Sequence, residues 1–377
     1  MHWHVAQEAI TRMHWESGDR PHQRNCSLWA RALGNTTAKG MRVFSQWNQD
    51  GVLQLIFAKV GTTNRFFAEF GFGYEGRNVT AKVMDSAGAG LNTRLLARTG
   101  WTGRYFDAVI SAPEFNITQA VLTSENIGEE FSKVSIPRDV DYVSIDVDSF
   151  DLWLMRGLFE SGFRPRVISS EFNSNFAANV KTTFYNRWQP WMGRKLFGAS
   201  AGGVNHVAEK YGYRAVHVMH AGDIFFVRKD VLASRCDLAS VPKFHRLARH
   251  LPTFDRQMRC KRDDLDKILD VELALSGHVV AARKAGIRAA YEASLSKNMY
   301  EHFCRPNSFF CDGSQEIEFN HSTGFLVDCH ATGRLTRQEA ESRALRGGGS
   351  TPLSTPAPGV YKYEHTSSSK PHRDSGE

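Results

Sequence analysis

The sequence predicts an α/β fold built on a mostly parallel sheet that closes in an antiparallel hairpin. Three observations carry this prediction. Short β-branched or aromatic runs alternate with helical patterns between about residues 50 and 230. The first of those runs, Phe66, Phe67, Ala68, Glu69 and Phe70, breaks into Gly71, Phe72 and Gly73 directly after its acid. The last two runs, 213–218 and 223–228, are separated only by residues 219–222. A parallel crossover needs about a dozen residues, so that final pair must be antiparallel.

The elements follow in order. Asp50, Val52, Leu53, Leu55, Ile56 and Phe57 have helical spacing, and Gly61 ends the helix. Strand one covers 65–70. A helix over 92–98 leads through Gly100 and Gly103 to a second strand, 104–106, closed by Asp107. Residues 133–136 read as the next short strand, cut off by Pro137. The β-branched run 140–148 closes in Asp146 and Asp148 and precedes an apolar helix over 152–159. A fifth strand spans 166–173, and a helix over 203–211 leads into the hairpin. Asp107, Asp146, Asp148, Glu171 and Asn173 therefore all fall at the carboxyl ends of strands, where open α/β sheets hold their ligands.

Composition bounds the rest. With 377 residues and 41% hydrophobic content, the chain can bury one large core with appendages. Residues 1–40 read as a poorly specified leader, 41–235 as the α/β domain, 236–345 as a mainly helical extension, and 346–377 as a disordered tail rich in Gly, Ser and Pro. Helical patterns after residue 263 suit either packing on the domain's flank or dimerisation. The net charge of +7 is scattered without a long basic block, which argues against nucleic acid. No apolar run approaches a membrane span, and the first residues lack the apolar stretch of a signal peptide. Six irregularly spaced cysteines read as free thiols of a reducing, cytoplasmic compartment. Cys304, Cys311, Cys329 and His330 lack the tight spacing of a zinc site.

A strand that feeds a Gly-rich turn brings backbone amides close to a nucleotide-like ligand. Asp107, at the end of strand two, offers the paired acceptor oxygens that a ribose diol needs. A nicotinamide dehydrogenase would continue with another helix and parallel strand, whereas a terminal antiparallel hairpin is the pattern of Rossmann-like methyltransferases that use S-adenosyl-L-methionine (AdoMet).

Four stretches in this order resemble the FkbM-like methyltransferase family over about residues 42–230. They are Ser45 and Gln46 with Gln49, Asp50 and Gly51; then Phe67, Ala68, Glu69, Phe70 and Gly71; then Asn92 and Thr93 with Gly100, Trp101, Thr102, Gly103 and the strand to Asp107; and finally the run from Val140 to Asp148. The resemblance implies a class I, AdoMet-dependent enzyme that methylates a hydroxyl oxygen of a sugar or other small-molecule acceptor. It places Glu69, Gly71 and Gly73 in the cofactor turn, Asn92 and Asp146 beside it, and Asp107 on the ribose hydroxyls. The sequence departs from the pattern in three places. Tyr74 and Glu75 precede Gly76 where a third glycine is usual, residues 78–90 look inserted, and Ser144 to Ser149 replaces the Lys-Ile-Asp-Val-Glu-Gly of many relatives.

Methyl transfer to an unactivated hydroxyl calls for a base beside the nucleophile. Asp146 and Asp148 are the candidates; Asp151 reads better as the N-cap of the following helix. Glu171 and Asn173 are expected to line the acceptor pocket, with Trp188 in the aromatic connection after strand five. Asp146, Glu171 and Asn173 also suit a hard divalent metal, in a layout similar to catechol-type methyltransferases, although the resemblance does not require one. Two other readings stay open. The altered 144–149 motif suits a catalytically degenerate AdoMet-binding or interaction module, and the Gly-rich turn alone would suit a nicotinamide oxidoreductase.

Overall fold

The computed structural model describes residues 24–39, 42–71, 79–86, 91–189, 197–219, 222–249, 251, 267–296, 317–320 and 325–328. Two helices come first, α1 (Ser27–Lys39) and α2 (Gln49–Val60). Strand β1 (Phe66–Phe70), the short helices α3 (Ala81–Met84) and α4 (Arg94–Arg98), and strands β2 (Thr102–Asp107) and β3 (Ile117–Gln119) follow. Helix α5 (Ile127–Lys133) leads to β4 (Tyr142–Ile145), α6 (Asp151–Glu160), β5 (Val167–Glu171) and the short β6 (Thr182–Thr183). Then come α7 (Ala201–Lys210), β7 (Tyr213–Val218), β8 (Asp223–Arg228), α8 (Lys229–Arg235) and α9 (Phe244–Leu247). Last are β9 (Leu269–Asp270), α10 (Val271–Leu275), α11 (Val279–Ser296) and an antiparallel pair, β10 (Ile317–Asn320) and β11 (Phe325–Asp328).

Seven strands form one sheet in the order β3-β2-β1-β4-β5-β8-β7. The pairings from β3 to β5 are parallel, while β8 runs antiparallel to both β5 and β7. The predicted α/β architecture is therefore present, mostly parallel, Rossmann-like, and ending in the predicted hairpin. Alternate strand residues feed opposite faces, as the two-residue period of a strand demands. Phe70, Val143, Ile145, Ile168 and Phe226 pack with α5, α6 and α7 through Phe131, Leu154, Leu158 and Val204. Phe67, Tyr142, Val167 and Phe225 pack on the other face with Trp29, Leu53, Ile56 and Leu232 of α1, α2 and α8.

At the amino ends of the parallel strands the backbone is closely stitched. The buried Asp141 carboxylate accepts from the amides of Thr63, Asn64 and Arg65 at 2.7–2.9 Å and from the Thr63 hydroxyl at 2.8 Å. That fixes the entry to β1, where Arg65 sits at φ 49°. Arg166 donates to the carbonyls of Val60 and Gly61, the last of α2, at 2.7 and 2.9 Å. Cys26 and Cys236 form a disulfide that ties the start of α1 to the end of α8.

Four sequence expectations change here. Residues 133–136 are not a strand: Ile127 and Phe131, four apart and buried, belong to helix α5, and its Glu129 and Glu130 favour a helical first turn. The third strand is Ile117–Gln119 instead, too short to display a two-residue period. The leader contains a packed helix. Trp29 and Leu33, four apart, are buried against α2, and the Trp29 indole donates to the Leu55 carbonyl at 3.0 Å. Cys26 and Cys236 are not free thiols, and since disulfides persist in oxidising compartments, the thiol argument for a cytoplasmic location falls away. Cys260, Cys304, Cys311 and Cys329 and the 346–377 tail lie outside the described residues.

The start of the expected extension is part of the main body. β9 pairs with β6, the Val271 amide donates to the Lys181 carbonyl at 2.9 Å, and Val271 and Ala282 are buried in the main core. Among the described residues no helix is long and apolar enough to cross a membrane.

Candidate functional site

The opposite edge, where β1, β2, β4 and β5 end, gathers the predicted site residues. Gly71 leaves β1 at φ 92°, a backbone region that side-chain-bearing residues rarely adopt. A Cβ there would fall 1.1 Å from the Asp146 carbonyl oxygen. Glycine is thus what lets the ends of β1 and β4 meet, with the Asp146 amide donating to the Phe70 carbonyl at 3.3 Å. Gly73 lies outside the described residues.

Glu69 is engaged by the backbone of the next turn. It is 2% exposed, and its carboxylate accepts from the Asn92 amide at 2.6 Å, the Thr93 amide at 3.0 Å and the Thr93 hydroxyl. Those bonds occupy it as an organiser of the turn before α4. Burial pushes its pKa up to about 7, against the lowering effect of these bonds. Asn92 is buried in turn, and its Nδ2 donates to Ser144 Oγ at 3.1 Å. Ser144 meets Ser169, which bonds Tyr142 Oη at 2.6 Å. Asn92 Oδ1 is buried with no hydrogen-bond partner among the described residues.

Asp107 is half-buried at the end of β2. Its Oδ1 accepts from the Val109 and Ile110 amides, both at 2.7 Å, which holds the carboxylate at the strand's exit. Among the described residues no hydrogen bond engages Oδ2.

Asp146, Asp148 and Glu171 converge. One carboxylate oxygen from each lies within 4.8 Å of the others. Asp148 is exposed and held at φ 67°, unusual for a residue with a side chain. Although Asp146 and Glu171 are partly exposed, burial raises both carboxyls well above the ordinary range. Neighbouring acids add to it: Asp223, Asp151 and Asp148 act on Asp146, and Asp146, Asp151 and Asp148 on Glu171.

One predicted role changes. Asp151 is the first residue of α6, but it does not cap that helix: its Oδ1 accepts from the Val147 amide at 2.7 Å and so shapes the turn carrying Asp148. Burial moves its pKa up to about 7, with Asp148 and Asp223 adding to the rise. Asn173 is buried, donating to the Phe197 carbonyl at 3.1 Å and accepting from the Asn175 amide at 2.8 Å. It ties down the connection after β5. Trp188 is 42% exposed in that connection, and next to it the Gln189 amide donates to Ser149 Oγ at 3.0 Å. The aromatic segment therefore starts beside the Asp148 turn; residues 190–196 lie outside the described residues.

Sequence reasoning missed Asp223 and Gln49. Asp223 opens β8 directly across from Glu171, is 2% exposed, and accepts from Gln49 Nε2 at 2.9 Å. Burial lifts its pKa to about 6, moderated by that bond. Gln49 arrives there because Asp50 folds the preceding segment, accepting from the amides of Val43, Phe44 and Ser45 at 2.8–2.9 Å. An acid leading the otherwise apolar Ile224, Phe225, Phe226 and Val227 was the available signal.

No protein-family profile, curated protein or solved structure matches the chain. The geometry of the site therefore stands by itself.

Proposed function

We propose that the chain is an AdoMet-dependent methyltransferase, similar to the FkbM type, acting on a hydroxyl oxygen of a sugar or other small-molecule acceptor. The observation that carries this reading is the sheet order with a single antiparallel strand, β8, set between β5 and β7, together with the polar side chains gathered at the carboxyl ends of β1, β2, β4 and β5. The residues present fit the cofactor. Asp107 keeps an oxygen for a ribose hydroxyl, and the buried Asn92 Oδ1 adds an acceptor beside β1. When bound, AdoMet supplies a methyl group on a sulfonium, which leaves as a neutral thioether once the acceptor oxygen's lone pair forms the new C–O bond.

The protein's part is placement and proton removal. Glu69 organises the turn that presents Asn92, and Gly71 brings β1 against β4. The acceptor hydroxyl meets Asp146 and Asp148, which take its proton directly or through water. Trp188 offers an aromatic face at the mouth.

Calorimetry of the purified chain with AdoMet, S-adenosylhomocysteine and NAD tests this. Both sulfur nucleotides are expected to bind, NAD is not, and Asp107→Ala is expected to weaken them about ten-fold or more, the worth of a hydrogen bond to a charged group. Absence of sulfur-nucleotide binding, or unchanged binding in Asp107→Ala, refutes the reading. Binding without methyl transfer to any hydroxylic acceptor would favour the degenerate module.

A further inference from the structure

We infer that Asp146, Asp148 and Glu171 form a site for a hard divalent cation, Mg²⁺ or Mn²⁺, at the carboxyl ends of β4 and β5. The inference deepens the methyl-transfer reading and rests on it for the cation's role. Three carboxylates from the ends of β4 and β5 bring oxygen atoms within 4.8 Å of one another, close enough to share one ion. All three are oxygen donors, the kind that hard cations select over softer metals.

Crowded acids alone would not identify a ligand. The second observation is Asp223. It stands directly across the β5–β8 pair from Glu171, so both side chains project from the same face of the sheet. It is 2% exposed, and while Oδ2 accepts from Gln49, Oδ1 is buried with no hydrogen-bond partner among the described residues. Buried carboxylate oxygens are ordinarily satisfied, and an orphan one beside three further acids points to positive charge supplied from outside the chain. Among the described residues no Lys, Arg or His forms an ion pair with Asp146, Glu171 or Asp223.

Three protein ligands leave positions of an octahedral ion open for water and an acceptor oxygen. The bound cation keeps the three carboxylates ionised, orients the acceptor, and lowers the pKa of its hydroxyl so that the proton leaves to water, which replaces direct transfer to Asp146 or Asp148 once the ion is bound. The C–O bond then forms as the C–S bond breaks, with the electron pair passing to sulfur.

The test is calorimetry and thermal melting of the full chain, stripped with EDTA and titrated with MnCl₂ and MgCl₂ without AdoMet. One saturable Mn²⁺ per chain is expected, together with a rise in melting temperature. Asp148→Asn and Glu171→Gln are each expected to weaken Mn²⁺ at least about ten-fold, and Asp107→Asn to leave it unchanged. Asp148 is exposed, so its variant reports even if Glu171→Gln fails to fold. No saturable binding below about 1 mM, or wild-type affinity in Asp148→Asn, overturns the site. Mn²⁺ binding without AdoMet binding would uphold the site and sink the methyl-transfer reading. AdoMet binding without Mn²⁺ binding would do the reverse.

Discussion

The two ends of one sheet treat buried acids in opposite ways. At the amino ends of the parallel strands, Asp141 is surrounded by donors: three backbone amides and a hydroxyl hold it, and the bonds fix the entry to β1. At the carboxyl ends, Asp146, Glu171 and Asp223 face one another, and each raises or feels the charge of its neighbours. The first arrangement stabilises the chain, since a charged acceptor with several donors gains more than its desolvation costs. The second costs stability in the protein alone, and such costs collect where a ligand is to be bound. The same strands thus carry a structural end and a binding end, and Asp141 and Asp146, five residues apart in sequence, stand for the two.

The comparison breaks most readily at the structural end. Asp141→Ala orphans the amides of Thr63, Asn64 and Arg65 and is expected to lower unfolding free energy by about 4 kcal/mol in urea melts. A loss below about 1 kcal/mol would mean that water satisfies those amides as well as the carboxylate does. Next comes the disulfide. Replacing Cys26 and Cys236 together by Ser is expected to cost about 3 kcal/mol, because the bond closes a loop of 210 residues in the unfolded chain. Equal melts with and without reductant would contradict the bond's stabilising role.

Glu69 makes the binding end sensitive to pH. Its folded pKa of about 7 lies above its ordinary 4.5, so the folded state holds the proton more tightly than the unfolded chain. Its contribution is fully present below about pH 4.5 and is lost as pH rises through 7, an effect of about 3 kcal/mol. Glu69→Gln is expected to flatten the stability profile in that window. A profile identical to wild type would assign the slope to other groups. The smallest effect belongs to the binding end, where Glu171→Gln relieves repulsion and is expected to raise the stability of the metal-free protein slightly in urea melts. A loss of stability there would show that Glu171 is structural, like Asp141.

The sequence made the binding end legible as strand ends, and the structural end hardly at all. Strong patterns, such as the apolar run into Glu69 and Gly71 or the four-residue turn between 218 and 223, placed β1, β7 and β8 and the hairpin's direction. Ile117–Gln119 escaped because three residues carry no period, and α1 because its partners, Leu55 and Cys236, are far away in sequence. Residue roles were harder still. That Glu69 serves Asn92 and Thr93, that Asp151 serves Val147, and that Asn173 serves Phe197 are facts about backbone donors and acceptors, which no side-chain pattern reveals. Asp223 joins Glu171 only through the antiparallel register, which fixes a partner that spacing along the chain does not.

Hydrogen exchange with and without AdoMet tests the division most directly. Protection is expected at the Glu69 to Gly71, Asn92 to Thr93 and Asp107 to Ile110 amides, with Thr63 to Arg65 unchanged. No protection at the first three segments, or protection confined to the amides around Asp141, would contradict the assignment of binding to the carboxyl ends of the strands.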